Sequence, residues 1–241
     1  MKRALILICY LALGLEAFSQ TPTTTKSIGI WGGSSYYLGD LNQRHFVPFT
    51  PGGGAYFRYN YDDRIGYRFT GSYGRIGGND QFSDNEFNST RNFSFTSQIY
   101  ELSAVTEFNF LPFSHLNPKS SIITPYFFLG LSLFYHDPKG NTGGTRVDFM
   151  TGTSEGVTYR NLQLALPFGA GFKVMLGKFG MSFEWGIRKT WSDYLDQVSA
   201  NHQAGTSNAN FQRGQVFTKD WFVLAGISLF ANLTPARSCP I

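Results

Sequence analysis

Cysteine is almost missing from this chain of 241 residues, with only Cys9 and Cys239 present. Cys9 lies in the middle of the opening apolar run, where it can neither anchor a lipid at the end of that run nor survive removal of the segment. A disulfide framework is therefore excluded, and Cys239 is left without an intrachain partner. Histidine is scarce too: His45, His115, His136 and His202 are the only four, and none shows metal-ligand spacing. Charged residues make up only 15% of the chain, and the net charge of +4 is too mild to point to nucleic acid. Beyond the N-terminus no apolar run approaches the 18 or so residues a membrane-crossing helix needs. Helical periodicity is also absent there. A membrane helix and a helical bundle are both excluded.

The chain opens on Met1-Lys2-Arg3, continues as an apolar run from Ala4 to Leu15, and leaves it through Glu16-Ala17-Phe18-Ser19-Gln20. Basic start, short apolar stretch and small-residue exit predict a cleavable export signal over 1–20. Residues 21–241 are then the exported domain, with a net charge near +3 once Lys2, Arg3 and Glu16 are gone.

What is plentiful is aromatic residues, at 17%, and glycine, at 27 residues. Aromatic, glycine-rich and charge-poor without a long apolar run is the balance of a membrane β-barrel. Alternation with period two supports it. Tyr100, Leu102, Ala104, Phe108 and Phe110 fall on one face of a strand, and Glu101, Ser103, Glu107 and Asn109 on the other. Leu162, Leu164, Leu166, Phe168, Phe172, Val174 and Leu176 alternate with Gln163, Gly169, Gly171 and Lys173. Met181, Phe183, Trp185 and Ile187 alternate with Ser182, Glu184, Gly186 and Arg188.

Extending the pattern predicts eight strands: Ser27–Gly39, Gly53–Tyr61, Ile65–Gly77, Phe93–Phe110, Pro125–Tyr135, Tyr159–Leu176, Gly180–Trp191 and Trp221–Leu233. Tight turns at Asp62-Asp63-Arg64 and Gly177-Lys178-Phe179 alternate with long polar connections at 40–52, 78–92, 136–158 and 192–220. Short turns on one rim and long loops on the other predict a closed antiparallel transmembrane barrel over about 27–233 with both termini periplasmic. Leu111–Thr124 is the one long connection on the short-turn rim, and residues 234–241 form a periplasmic tail. A soluble barrel or sandwich would alternate as well. It would not explain the small residues opposite the greasy face (Gly66, Thr70, Ser72, Gly74, Gly130, Ser132), the aromatics near strand ends, or the loop asymmetry.

On this reading Arg58, Arg68, Glu101, Glu107, Lys173, Glu184 and Arg188 point into a narrow lumen. There they should pair as a structural network, because an unpartnered buried charge is costly, and eight strands leave room for little more than side chains. No chemistry emerges elsewhere. His136 with Ser154 or Ser192 has nothing to join it into a hydrolase site. Glu101 and Glu107 are six residues apart on one strand face, roughly 20 Å at strand rise, too far for a carboxylate pair in glycoside hydrolysis. The glycines at Gly143-Gly144 and Gly152 lack phosphate-loop spacing. Asp193-Tyr194-Leu195-Asp196 reads as a solvated loop before it reads as a calcium site. The expectation is no catalytic residue, no metal and no cofactor.

Four stretches carry a family likeness: Ile28-Gly-Ile-Trp-Gly-Gly-Ser-Ser-Tyr-Tyr-Leu-Gly-Asp-Leu-Asn42, Ile99-Tyr-Glu-Leu-Ser-Ala-Val-Thr-Glu-Phe-Asn-Phe-Leu-Pro-Phe113, Thr124-Pro-Tyr-Phe-Phe-Leu-Gly-Leu-Ser-Leu-Phe134 and Phe183-Glu-Trp-Gly-Ile-Arg-Lys-Thr-Trp-Ser-Asp-Tyr-Leu-Asp-Gln-Val-Ser199. In order, they resemble the PorG family, small outer-membrane barrels of the type IX secretion system. The resemblance implies a structural role in protein export across the bacterial outer membrane and, in some bacteria, in gliding motility. The partners it implies are outer-membrane lipid and a periplasmic ring built from a lipoprotein and its partner protein. If that role carries over, Leu111, Pro112 and Phe113 in the long periplasmic connection, and Cys239 in the tail, are the candidate contacts. A stand-alone barrel binding ligands or surfaces through its extracellular loops is the alternative, and a lipid enzyme of the outer membrane is the third class.

Overall fold

A computed structural model describes residues 24–38, 49–79, 93–142, 145–147, 161–191 and 221–235. Nine strands run through them: β1 (Thr25–Leu38), β2 (Thr50–Asn60), β3 (Ile65–Asn79), β4 (Phe93–Asn109), β5 (Ile123–Thr142), β6 (Thr145–Val147), β7 (Leu162–Leu176), β8 (Phe179–Thr190) and β9 (Trp221–Asn232). Eight of them close on themselves. Each pairs antiparallel with its sequence neighbour, β5 passes directly to β7, and β1 meets β9 from Ser27↔Asn232 to Leu38↔Trp221. Closure leaves these eight no open edge, so each of them has a ladder on both sides.

β6 is the departure from the expected eight. It is a three-residue return that pairs with the far end of β5, Thr142↔Thr145. β5 itself overshoots the expected Pro125–Tyr135 because it stays paired with β4 up to Phe93↔Thr142. The segment His136–Thr142 is polar and does not alternate, so periodicity could not mark it as strand. The expected start at Tyr159 lies outside the described residues, and β7 begins at Leu162. Between Leu129↔Phe168 and Ser132↔Ala165 the β5–β7 ladder is interrupted beside Pro167, which has no N–H to donate.

Two rims differ. At one, Asp62 Oδ1 accepts hydrogen bonds from the amides of Arg64 (2.7 Å) and Ile65 (2.6 Å) and turns β2 into β3. At the same rim Gly177, at φ 66°, turns β7 into β8; a residue with a Cβ would be strained there. The ends at Thr25 and Asn232 lie on this turn rim. The opposite, loop rim receives the connections 39–49, 80–92, 143–161 and 192–220.

Burial alternates opposite to a soluble protein's. Large apolar side chains point outward and stay exposed, among them Leu102 (68%), Ile30 (64%) and Leu131 (62%). Among the described strand residues no charged side chain points outward between Lys26 at the turn rim and Arg75 and Lys189 at the loop rim. Aromatic rings border this belt at both ends. Phe108, Phe110 and Phe127 cluster at the turn rim with centroids 5.5–5.8 Å apart. Tyr73 and Tyr100 meet at a tilt with centroids 5.1 Å apart toward the loop rim, where Phe168 meets Trp221 edge-on at 6.1 Å. A continuous apolar belt with interfacial rings suits hydrocarbon, not water. Replacing Leu131 by Arg should therefore cost about 2–4 kcal/mol in a bilayer, measured by urea unfolding in phospholipid vesicles; an unchanged midpoint would mean that this face meets water.

Candidate functional site: a filled and sealed lumen

The inward faces of β2, β3, β4, β7 and β8 bring seven charged side chains together, as strand alternation requires of Arg58, Arg68, Glu101, Glu107, Lys173, Glu184 and Arg188. Glu107, fully buried, is the hub. It forms ion pairs with Arg58 Nε at 2.8 Å and Arg68 Nε at 2.7 Å, and accepts hydrogen bonds from Lys173 Nζ at 2.5 Å and Arg58 Nη2 at 3.4 Å. Arg68 reaches on to Glu184 at 2.7 Å, and the Tyr126 hydroxyl donates to the same carboxylate at 2.8 Å. Arg188 faces Glu101 at 3.3 Å and donates to the Gly186 carbonyl oxygen at 2.7 Å. Lys173 also donates to Asn109 Oδ1 at 2.9 Å.

The cations lie on aromatic faces as well. Arg58 sits 4.9 Å from the Tyr56 ring and 5.1 Å from Phe230, Arg68 lies 5.2 Å from Phe128, and Lys173 lies 4.2 Å from Tyr126. Rings over desolvated cations add attraction without a further charge. Removing the hub is the severe case: Glu107→Gln leaves three buried cations short of a counter-charge and should cost about 3–5 kcal/mol. Glu101→Gln, which breaks one longer contact, should cost less. Urea midpoints of the two variants in vesicles check both.

Apolar layers close the lumen on each side of the ions. Toward the loop rim, Tyr37, Ile76, Phe95, Ile99, Phe134 and Phe222 form a buried cluster, with Tyr37 edge-on to Phe95 at 5.0 Å. Toward the turn rim, Tyr56, Phe230 and Phe113 pack with Trp31 and Met175. Among the described residues two small cavities lie beside the ions: one of about 20 Å³ at Arg68, Ser72, Ser103, Glu184 and Arg188, and one of about 10 Å³ at Arg58 and Lys173. Each holds a water or two at most.

These inner aromatics are the part alternation missed, because they put large rings on the face expected to be small and polar. The signal was glycine. Across the strand pairs Phe230 stands opposite Gly29 and Gly180, Tyr56 opposite Gly29, Phe128 opposite Gly169, Tyr126 opposite Gly171, and Trp31 opposite Gly54. A Cβ on Gly180 would lie 2.2 Å from Phe230 Cζ, and one on Gly169 would lie 2.8 Å from Phe128 Cζ. Each ring fills the volume its facing glycine leaves empty. Gly180→Ala should accordingly cost about 1–3 kcal/mol through overpacking, and pairing it with Phe230→Leu should recover part of that loss in the same unfolding assay.

The connection 110–122 is tied across the turn rim. Phe113 N donates to the Asp63 carbonyl oxygen at 2.8 Å, Asn117 Nδ2 donates to Asp63 Oδ2 at 2.7 Å, and Leu111 N donates to Thr124 Oγ1 at 3.0 Å. His115 Nε2 lies 2.8 Å from the Thr234 carbonyl oxygen, which makes that nitrogen the donor. Phe113 corrects an expectation: it is 6% exposed and packs on Phe230 with centroids 6.5 Å apart, so it plugs the barrel and offers no surface to a partner. Pro112 is half-buried, while Leu111 and Ile122 are exposed.

His136, at the loop rim, is fully buried with its ring 5.7 Å from Phe134. Among the described residues no three His, Cys, Asp or Glu side chains gather into a metal site. Residues 1–20, His45, His202, Gly143-Gly144, Gly152, Ser154, Ser192, Asp193–Asp196 and Cys239 lie outside the described residues.

Residues 2–238 match the family described as Domain of unknown function (DUF6089). The chain belongs to the DUF6089 family. Curated proteins yield no match to this DUF6089 chain. Among solved structures it is similar to Ail, the attachment invasion locus protein of Yersinia pestis, at 13% identity over 87% of this chain and 99% of that one, with a TM-score of 0.45. Neisserial surface protein A is similar at 10% identity, 86% and 95% coverage, and a TM-score of 0.41. So is the N-terminal β-barrel domain of Pseudomonas aeruginosa OprF, at 12% identity, 89% and 100% coverage, and a TM-score of 0.41.

Proposed function

We propose that the protein is an anchoring barrel of the bacterial outer membrane that serves as a structural component of the type IX secretion system. It sits with its termini and turn rim in the periplasm and its loops outside, and it neither catalyses a reaction nor conducts. The observation that carries the anchoring role is the packed lumen: among the described residues, the ion cluster around Glu107 is held between two apolar layers beside cavities of about 20 and 10 Å³. The secretion role is supported by the PorG-like stretches, above all Phe183–Ser199. Export through residues 1–20 and a part in gliding motility belong to the same reading.

The partner in this reading is the periplasmic ring lipoprotein with its associated protein, met at the turn rim. Leu111 and Ile122, with Phe110 of the aromatic border, are exposed apolar groups of the 110–122 connection, and Lys119 of the same connection is exposed. The described chain ends at Pro235 on the same rim, ahead of Cys239. Pro112 and the buried Phe113 would support this surface from beneath.

Deleting the gene should abolish release of type IX cargo, and native pull-down of the barrel should bring down the ring lipoprotein. Leu111→Glu with Ile122→Glu should lose the ring protein while the barrel stays folded and heat-modifiable. Normal cargo release after deletion sinks the secretion role. Pull-down of a surface ligand with no ring component favours a stand-alone barrel acting through its loops.

A further inference from the structure

Among the described residues the lumen holds four basic side chains, Arg58, Arg68, Lys173 and Arg188, against three carboxylates, Glu101, Glu107 and Glu184. Arg188 is matched by Glu101. The surplus therefore sits where Arg58, Arg68 and Lys173 surround Glu107 and Glu184. An uncompensated charge in a dry interior wrapped by an apolar belt is costly enough to recruit a counter-ion.

A site for one lies against that surplus. On the turn-rim side of Glu107 is the largely enclosed cavity of about 10 Å³, room for a single small occupant. Arg58 and Lys173 form one wall, Phe113 and Phe230 another, and no carboxylate lines it. Ser27 opens onto it, and its hydroxyl is fully buried without a hydrogen-bond partner. His115 lines it too, its Nε2 donating to Thr234. Asp63, at the nearby turn, accepts from Asn117 and does not reach the lining. The larger cavity is the poorer place for an anion because Glu184 lines it.

We propose that this cavity holds one dehydrated monatomic anion, chloride under cellular conditions, bound by Arg58, Lys173 and the Ser27 hydroxyl. The size of the space selects a halide over acetate or sulfate.

The test uses the full barrel purified in detergent, with bromide as the probe and acetate as the control at equal ionic strength. The thermal midpoint should rise by about 3–5 °C for each tenfold increase in bromide above its dissociation constant, and not in acetate. Lys173→Gln removes the surplus cation and should abolish the bromide dependence. Ser27→Ala keeps every charge and should raise the half-saturating bromide concentration about tenfold. Crystals soaked in bromide should show an anomalous peak between Arg58 and Lys173. A midpoint equal in bromide and acetate, or no peak there, overturns the proposal, since a water molecule would then account for the cavity.

Discussion

Three cations converging on one carboxylate set the terms for the rest of this barrel. Glu107 comes from β4, while its partners come from β2, β3 and β7, and Arg68 extends the cluster to Glu184 on β8. Such a cluster is weak evidence of net stability, because desolvation opposes the attraction. It is strong as a constraint on register. A slip of one residue in any of these strands would turn its charge into the greasy belt and its apolar neighbours into the lumen.

The lumen then has to be filled around fixed charges with rigid material. Glycine and aromatic residues do this in pairs across strands, a ring from one occupying the space left by the other. The abundance of both residue types thus has two causes, not one. Outward rings border the apolar belt, and inward rings pack over cations and glycines. Composition merges the two populations, and only register separates them.

That division explains what the sequence made legible. Alternation located the eight barrel strands to within three residues, except for the far end of β5, which runs seven residues past the expected Tyr135. It also assigned Arg58, Arg68, Glu101, Glu107, Lys173, Glu184 and Arg188 to one face, because facing is a local property with period two. It could not say that Glu107 and not Glu101 is the hub, since register depends on residues far apart in the chain. β5 was hardest to read: Tyr126, Phe128 and Phe134 face inward while Phe127, Leu129 and Leu133 face outward, so its two faces differ little in polarity. Phe113 was misplaced for a related reason. Its burial depends on Phe230 and on the hydrogen bond to Asp63, neither of which its own neighbourhood announces.

The strapped connection between β4 and β5 also decides how the barrel bears load. A tug on it along the strand axes draws these two strands as one hairpin. Resistance comes from the β3–β4 ladder, paired over 15 residues, and the β5–β7 ladder, paired over 11, both strained lengthwise. Hydrogen bonds in that arrangement must yield together and not one after another, as they would if a strand were peeled from its end. The ties to Asp63 and Thr234 spread the same pull to the β2–β3 turn and the terminal strand. A handle built this way can be pulled hard without unzipping the wall it is fastened to.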